Sequence, residues 1–213
     1  MANAEHWLHK DIDDYLLKQI PPRDAILQKM ETYGRERSFP FIGPLVGELL
    51  QLMARGIGAR RVMELGSGYG FSAMHFARVL PPDGVVVCTD NDTKNADQAR
   101  RFFQEAGMPE KLEFHIGEAV SVMESLPGEF DIILMDIEKE NYPEAFRKGW
   151  PRLRVGGVFI ADNIIWDGRV ISGDDQPSTK GIQEFTKLIY STPNAQTTII
   201  PLRDGVSITL KTA

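Results

Sequence analysis

The chain has 213 residues, a formal net charge of −6 and 42% hydrophobic residues. This balance excludes a disordered chain and is typical of a soluble globular protein of one domain, or one domain with a short appendage. No apolar run reaches the ~20 residues that span a bilayer, and the acidic start MANAEHWLHKDIDD does not resemble a signal peptide. The single cysteine, Cys88, excludes an intrachain disulfide, so we expect a cytoplasmic protein without membrane partners. The negative charge disfavours nucleic acid as a partner.

The first 58 or so residues are expected to be helical. Apolar residues recur there at helical spacing, and Pro21-Pro22 separates the first two segments. The predicted helices cover residues 7–19, 23–33 and 43–55.

Short apolar strands then alternate with helices. The predicted strands are 61–65, 85–90, 112–116, 130–136 and 157–162. The predicted helices between and after them are 69–80, 93–107, a short one ending at Met123, 143–150 and 179–190. Nearly continuous apolar strands that alternate with helices indicate a parallel sheet covered on both faces.

The last two strands, 197–202 and 206–211, break this alternation. The segment between them, Arg203-Asp204-Gly205, is too short for a parallel crossover, so these strands form an antiparallel hairpin. The predicted fold class is α/β: a doubly wound, mostly parallel seven-stranded sheet, closed by a C-terminal antiparallel hairpin, with N-terminal helices. This layout differs from that of the dinucleotide dehydrogenases and resembles that of the class I methyltransferases.

A glycine-rich turn follows the first strand, in the sequence Glu64-Leu65-Gly66-Ser67-Gly68-Tyr69-Gly70. Such a turn can be purely structural, but it also lets the backbone approach a ligand closely at a helix N-terminus. The pyrophosphate fingerprint Gly-x-Gly-x-x-Gly would need a glycine at position 71, where the chain has Phe71. The Glu64 carboxylate would repel a pyrophosphate and suits a ligand with an ammonium and a sulfonium group. These features favour S-adenosylmethionine over a dinucleotide.

Asp90 ends the second strand, where an acid commonly binds the two hydroxyls of a ribose. It would serve NAD or S-adenosylmethionine equally well. Asp90 therefore indicates a nucleoside ligand without naming it.

Oxygen-bearing side chains follow two further strands. Asp136 ends the fourth strand, and Asp162-Asn163 end the fifth. Neighbouring strands lie ~4.8 Å apart, so these oxygens can reach one cation beyond the carboxyl edge of the sheet. Such a donor set suits Mg²⁺, Mn²⁺ or Ca²⁺ rather than zinc. Each acid alone could instead cap the next helix.

The stretch RVMELGSGYGFSAMHFA resembles the first motif of the catechol and caffeoyl-CoA type O-methyltransferases. The resemblance implies that the strand-end glutamate and the turn hold the methionine part of S-adenosylmethionine, that the acid at 90 holds the ribose, and that the loop at 117–119 lies beside the adenine. The implied cofactor residues are Glu64, Gly66, Ser67, Gly68, Tyr69, Ser72, Asp90, Gly117, Glu118, Ala119 and Asp136. Glu118 could equally be an ordinary acid in the first turn of a helix.

Two later stretches, FDIILMDIEKENYPEAF and ADNIIWDGRV, resemble motifs of the same family, as does the end PLRDGVSITLK. By this match Asp136, Asp162 and Asn163 are the implied metal ligands, and Lys139 is the implied general base. Lys139 lies three residues after Asp136, so a helical turn there would place both side chains on one face. The motif departs from the family at Glu138, where aspartate is commoner.

The resemblance implies that the protein transfers a methyl group from S-adenosylmethionine to a hydroxyl of a small, vicinal-dihydroxy aromatic molecule. Family members that methylate hydroxyuridine in transfer RNA with the same site leave that alternative open. A nicotinamide-dependent oxidoreductase and a non-catalytic binding module are further alternatives. The resemblance also implies a homodimer.

The whole chain, residues 1–213, is expected to form one methyltransferase domain. Residues 1–58 would be a helical cap over the substrate, and residues 59–213 the cofactor-binding and catalytic core. Trp166 could stack on an aromatic ring or anchor the edge of the core. Phe39, Phe41 and Ile42 could line the mouth of the site or pack beneath it.

Overall fold

The computed structural model describes residues 10–213 of the chain. Eight α-helices and seven β-strands are found in this part. The helices are α1 (Lys10–Gln19), α2 (Ala25–Glu36), α3 (Gly43–Gly56), α4 (Phe71–Ala77), α5 (Thr93–Glu105), α6 (Ala119–Ser125), α7 (Tyr142–Gly149) and α8 (Pro177–Ser191). The strands are β1 (Arg61–Leu65), β2 (Val85–Asp90), β3 (Leu112–Ile116), β4 (Phe130–Met135), β5 (Leu153–Ala161), β6 (Ala195–Ile200) and β7 (Val206–Lys211).

The seven strands form one sheet in the order β3-β2-β1-β4-β5-β7-β6. The first five strands are parallel, and β7 runs antiparallel to both of its neighbours. The predicted fold class is therefore confirmed, including the C-terminal hairpin. None of the helices in residues 10–213 is long and apolar enough to cross a membrane.

Most predicted elements agree with the structure, and the differences have local causes. The predicted first helix includes residues 7–9, which lie outside the described residues. Helix α4 begins at Phe71 rather than at 69, because Tyr69 and Gly70 belong to the turn and Gly70 has φ +82°. Strand β5 begins four residues before the predicted start, because its pairing with β4 is irregular around Gly156 and Gly157 and hides the alternation there.

Both faces of the sheet are covered by apolar side chains. On β4, Ile132 and Leu134 pack into a core on one face, and Ile133 and Met135 into a core on the other. Helices α2 and α3 bury residues in the first of these cores, beside α4. The N-terminal helices are therefore a layer on the sheet, which brings the segment between them next to the glycine turn.

His75 is a fully buried polar residue in the contact between α3 and α4. A β-carbon at Gly47 of α3 would collide with its ring, so only a glycine allows the two helices this close. The Gln51 amide donates to His75 Nδ1 over 2.9 Å, which places the ring proton on Nε2, where no hydrogen-bond partner is found among the described residues. Burial lowers the pKa of His75 from 6.5 to about 4.

This burial should make stability depend on pH. The unfolded chain gains a proton at position 75 near pH 6.5, whereas the folded chain resists it until about pH 4. His75 should therefore cost the fold up to about 3 kcal/mol as the pH falls from 6.5 to 4. Urea unfolding across this range should give a shallower loss for His75→Gln than for the wild type. Parallel curves would contradict the assignment.

Candidate active site

A cavity of about 980 Å³ opens at the carboxyl edge of the parallel strands. The glycine turn after β1, the loop after β3 and the ends of β4 and β5 all contribute to its wall. The sequence-predicted site residues that line it are Gly66, Ser67, Gly68, Tyr69, Ser72, Asp90, Gly117, Glu118, Ala119, Asp136, Lys139, Asp162 and Asn163. Glu64 is the one predicted site residue that is not among the lining residues.

The glycine turn lies directly against the end of β4. The Asp136 N–H donates to the Leu65 carbonyl over 2.9 Å, and Gly66 has φ +84°. A β-carbon at Gly66 would collide with the main-chain carbonyl oxygen of Asp136. Glycine is therefore required at position 66 for both its conformation and its missing side chain. This contact brings the glycine turn into the same cavity as Asp136 and Asp162, which we call the acid set.

Glu64 lies beneath the turn and is almost completely buried. The Cys88 thiol donates to its Oε2 over 3.6 Å, while Oε1 has no hydrogen-bond partner within residues 10–213. Burial raises the pKa of Glu64 from 4.5 to about 7, opposed by the side chains of Ser72, Ser67 and Cys88. The nearby Asp136 charge raises it further. A buried carboxylate with a free oxygen would be stabilised by a cationic group brought close to it.

Asp90 fastens the turn to β2. Its Oδ2 accepts from the Gly68 N–H over 3.0 Å. Its Oδ1 accepts from the Asp92 N–H over 2.8 Å and from the Asn95 amide over 3.1 Å. The carboxylate is thus held rigidly at the wall of the cavity, where a ribose was expected.

The side chain of Tyr69 has a packing role. Its ring lies 5.1 Å from that of Tyr33 and 5.2 Å from that of Phe39, measured between centroids, and its hydroxyl is buried without a hydrogen-bond partner in the described region. A cofactor contact at this position would therefore be made by the backbone. The aromatic cluster explains why the turn carries a large side chain here.

Glu118 is the N-cap of α6. Its carboxylate accepts from the Val120 and Ser121 N–H groups over 2.9 and 2.7 Å, and from the Ser121 hydroxyl. Partial burial raises the pKa of Glu118, but these hydrogen bonds outweigh it and the pKa is lowered overall. Glu118 therefore precedes the helix and caps its N–H groups, rather than lying within the first turn as the alternative expected.

The acid set lies at the ends of two paired strands. Met135 of β4 pairs with Ala161 of β5, so Asp136 and Asp162 follow at adjacent positions. Asp162 is 4% exposed. Burial raises its pKa from 3.8 to about 7, and the charge of Asp136 adds to the shift. Two neighbouring carboxylates in this state carry negative charge that a bound cation would neutralise.

Lys139 is buried beside these acids. Its Nζ donates to Asp136 Oδ1 over 2.6 Å and to the Tyr142 hydroxyl over 2.8 Å. The Tyr142 hydroxyl in turn donates to the Asp162 carbonyl over 3.0 Å. Lys139 and Asp136 lie close together, as expected, but the helical turn that was expected to bring them together is absent. Glu138 is extended, with ψ 128°, and a 3₁₀ turn begins only at Lys139.

The donor chemistry fits a hard divalent cation. Asp136 and Asp162 offer carboxylate oxygens and Asn163 an amide oxygen, which are ligands that Mg²⁺, Mn²⁺ and Ca²⁺ accept. Within the described residues there is no group of three or more His, Cys, Asp or Glu side chains in a metal-holding arrangement. The predicted ligands are two acids and one amide, so they do not form a group of that composition. The cation therefore stays a proposal.

Sequence reasoning missed two residues that hold the site together. Tyr142 lies within the motif FDIILMDIEKENYPEAF, and its spacing of three residues from Lys139 is the signal that could have identified it. Asp204 lies in the hairpin turn that the sequence predicts, and that pattern assigns it no role in the site. Its contacts come from a segment about 40 residues earlier in the chain, and no local pattern gives such contacts.

The family model described as O-methyltransferase matches residues 25–212. The chain belongs to this O-methyltransferase family. A catechol O-methyltransferase of Niastella koreensis is 28% identical over 202 residues, covering 92% of this chain and 91% of that protein. A caffeoyl-CoA O-methyltransferase of Pinus taeda is 30% identical, covering 76% of this chain and 68% of the relative.

Solved structures of family members agree in fold and in cofactor. The O-methyltransferase TomG from Streptomyces achromogenes, in complex with SAM, is 28% identical with a TM-score of 0.88 and covers all of both chains. An O-methyltransferase from Bacillus cereus, in complex with SAH, is 28% identical with a TM-score of 0.87, covering 98% of this chain and 99% of that one. The protein is thus an S-adenosylmethionine-dependent O-methyltransferase, as the resemblance implied.

Gly66→Ala should destabilise this O-methyltransferase more than a matched change elsewhere. Gly58→Ala is the control, because Gly58 also has a positive φ, +62°, but open space around its α-carbon. The control should lose about 1–2 kcal/mol from backbone strain. Gly66→Ala should lose a further ~1–3 kcal/mol from the collision with Asp136. Chemical unfolding measures both, and equal losses would mean that this edge is loosely packed.

Proposed function

We propose that the enzyme methylates a hydroxyl of a small, catechol-like molecule with two adjacent oxygens, using a divalent cation and Lys139. One observation carries the proposal: a buried lysine lies within hydrogen-bond distance of an acid, and that acid adjoins a second acid and an amide in the cavity that also holds the glycine turn. The relatives named catechol and caffeoyl-CoA O-methyltransferase support the substrate class.

The cofactor half of the cavity would be the wall formed after β1, β2 and β3. The free Oε1 of Glu64 supports a contact with the positively charged methionine end of S-adenosylmethionine. Asp90 would accept from a ribose hydroxyl at Oδ2, which accepts one hydrogen bond from the described residues and has a second lone-pair site left. Further contacts are proposed for Gly66, Ser67, Gly68, the Tyr69 backbone, Ser72, Asp136 and the loop Gly117-Glu118-Ala119.

Asp136, Asp162 and Asn163 would hold the cation, with Mg²⁺ proposed first and Mn²⁺ or Ca²⁺ as alternatives. A cation bound there supplies Lewis acidity, which makes a neighbouring substrate hydroxyl more acidic. Asp136 pairs with Lys139 through Oδ1, and its Oδ2 accepts no hydrogen bond from the described residues, so this oxygen remains available.

Lys139 would accept the proton of the substrate hydroxyl at Nζ. As a neutral amine, Lys139 keeps two N–H groups for Asp136 and Tyr142 and has one lone pair that takes this proton. The two hydrogen bonds fix where Nζ lies relative to the acid set. The resulting oxyanion attacks the methyl carbon of the sulfonium, and the thioether leaves as the C–S bond breaks. Rate then depends chiefly on alignment of oxygen, methyl and sulfur, which rigid strand ends can provide.

Aromatic side chains at the mouth of the cavity support a flat substrate. Phe39, Phe41 and Trp166 line it, and Ile42 lies beside them. We propose that residues 1–58 and the core residues 59–213 act as one domain, with the segment around Phe39 covering the substrate. A homodimer, which the family resemblance implies, and a cytoplasmic location, which the single cysteine favours, stay predictions.

Methyl transfer from labelled S-adenosylmethionine to a panel of catechols and hydroxycinnamates should require a divalent cation. Chelator should abolish turnover, and Mg²⁺ or Mn²⁺ should restore it. Asp162→Ala should lose this response while calorimetry gives nearly unchanged S-adenosylmethionine affinity, because the proposed cofactor contacts come mainly from other strands. Bulk transfer RNA belongs in the panel. Turnover in excess chelator, or methylation of transfer RNA alone, would overturn the proposal.

Lys139→Ala should lower kcat by about 10²–10⁴-fold, the usual contribution of a general base. Lys139→Arg should not restore activity, because a guanidinium stays protonated. The loss should shrink with more acidic phenols, which need less help to ionise. Lys180→Ala is the matched control, since Lys180 is exposed and pairs with Asp175. A near-normal kcat for Lys139→Ala on the best substrate would contradict the role.

A further inference from the structure

The segment after β5 carries an unusual backbone. Three residues that are not glycine have left-handed φ values there: Asn163 at +60°, Trp166 at +53° and Asp167 at +50°. Left-handed backbone costs roughly 1–2 kcal/mol for an ordinary residue such as Trp166, whereas asparagine and aspartate adopt it more readily. A segment of this kind keeps its shape only where surrounding groups hold it, and such segments cluster at functional sites.

The turn of the terminal hairpin holds this segment. The Ile164 N–H donates to the Gly205 carbonyl over 3.0 Å, and the Ile165 N–H donates to the Asp204 carbonyl over 2.8 Å. A β-carbon at Gly205, which has φ +83°, would lie 3.0 Å from the Ile165 nitrogen. The two chain segments are therefore packed backbone to backbone.

The Asp204 carboxylate adds two hydrogen bonds to the same segment. Its Oδ1 accepts from the Asp167 N–H over 2.6 Å, and its Oδ2 accepts from the Asn163 side-chain amide over 3.3 Å. Asp204 is half-buried and lines the cavity. One carboxylate thus contacts both ends of the strained segment.

The chemistry of this contact fixes the orientation of the Asn163 amide. A carboxylate only accepts hydrogen bonds, so it selects the NH₂ end of the amide and repels the oxygen. The Asn163 oxygen is then directed away from Asp204, and within the described residues it accepts no hydrogen bond. An amide oxygen that is oriented and still free is what a cation ligand requires.

We propose that Asp204 is a positioning residue, which orients the Asn163 oxygen toward the cation and ties the Trp166 segment to the same point. This inference rests on the proposed function, because it assumes that Asn163 is a cation ligand. Asp204 itself needs no contact with the cation. Groups that orient metal ligands in this way typically change metal affinity 10–100-fold when they are removed.

The test is a Mn²⁺ titration followed by electron paramagnetic resonance, with saturating S-adenosylhomocysteine. Asp204→Asn should raise the Kd for Mn²⁺ by about 10–100-fold, because its own amide cannot accept from both donors as the carboxylate does. Asp167→Asn is the control. It removes a nearby charge but keeps both hydrogen bonds, since Asp167 contributes its backbone N–H. Its Kd should change less than threefold or so.

Two further measurements separate positioning from simple loss of stability. Asp204→Asn should unfold within a few degrees of the wild type without metal, and a large excess of Mn²⁺ should restore most of its turnover. Equal Mn²⁺ affinity in wild type and Asp204→Asn, or an equal loss in Asp167→Asn, would overturn this inference alone. A wild type that binds no Mn²⁺ would overturn the proposed cation site, and this inference with it.

Discussion

Buried negative charge at the carboxyl edge of the sheet is the constraint on which the site depends. Glu64 and Asp162 are both almost completely buried, and burial raises the pKa of each to about 7. Burial also raises the pKa of Asp204. A fold that holds acids in this state is one that gains stability when positive charge enters the cavity. S-adenosylmethionine carries an ammonium and a sulfonium, so the cofactor of this family has positive charge that would stabilise these acids in their ionised form.

Asp136 connects the two halves of the site electrostatically. Its charge raises the pKa of Glu64 on one side and of Asp162 on the other. It is also the partner of the buried Lys139. Positive charge bound near any of these acids would therefore lower the pKa of the others. Because Gly66 has no side chain, the glycine turn can pack against the Asp136 carbonyl. This packing keeps Glu64 and Asp136 close enough for their charges to interact.

The sequence predicted the fold well because the relevant signals are local. Strands β1, β2, β3 and β7 agree with the predicted bounds, since each is a short apolar or alternating run between turn residues. The start of β5 was missed because glycines interrupt its pairing. Asp90, Asp136, Asp162 and Asn163 could be named because strand ends in a parallel sheet meet at one edge, a rule of topology that needs no coordinates. Ser72, Lys139 and the loop 117–119 were named from the family resemblance.

The sequence did not predict which contacts each side chain makes within the site. Tyr69 packs into an aromatic cluster and Glu118 caps a helix, although both occupy cofactor motif positions. Lys139 contacts Asp136 although no helical turn connects the two residues. These outcomes depend on neighbours from distant parts of the chain, which pattern and spacing do not encode.

The hydrogen bonds of Tyr142 explain how Lys139 keeps a fixed position relative to Asp136 and Asp162. A hydroxyl has one proton, and the short distance to the Asp162 carbonyl assigns it there, so the oxygen is left to accept from Lys139. The position of Nζ is thereby set by the backbone of β5 rather than by the four flexible bonds of a lysine side chain. Methyl transfer needs oxygen, carbon and sulfur in line, and small displacements weaken it strongly. A base fixed to the strand that carries Asp162 meets this requirement, because base and proposed cation ligand then move as one unit.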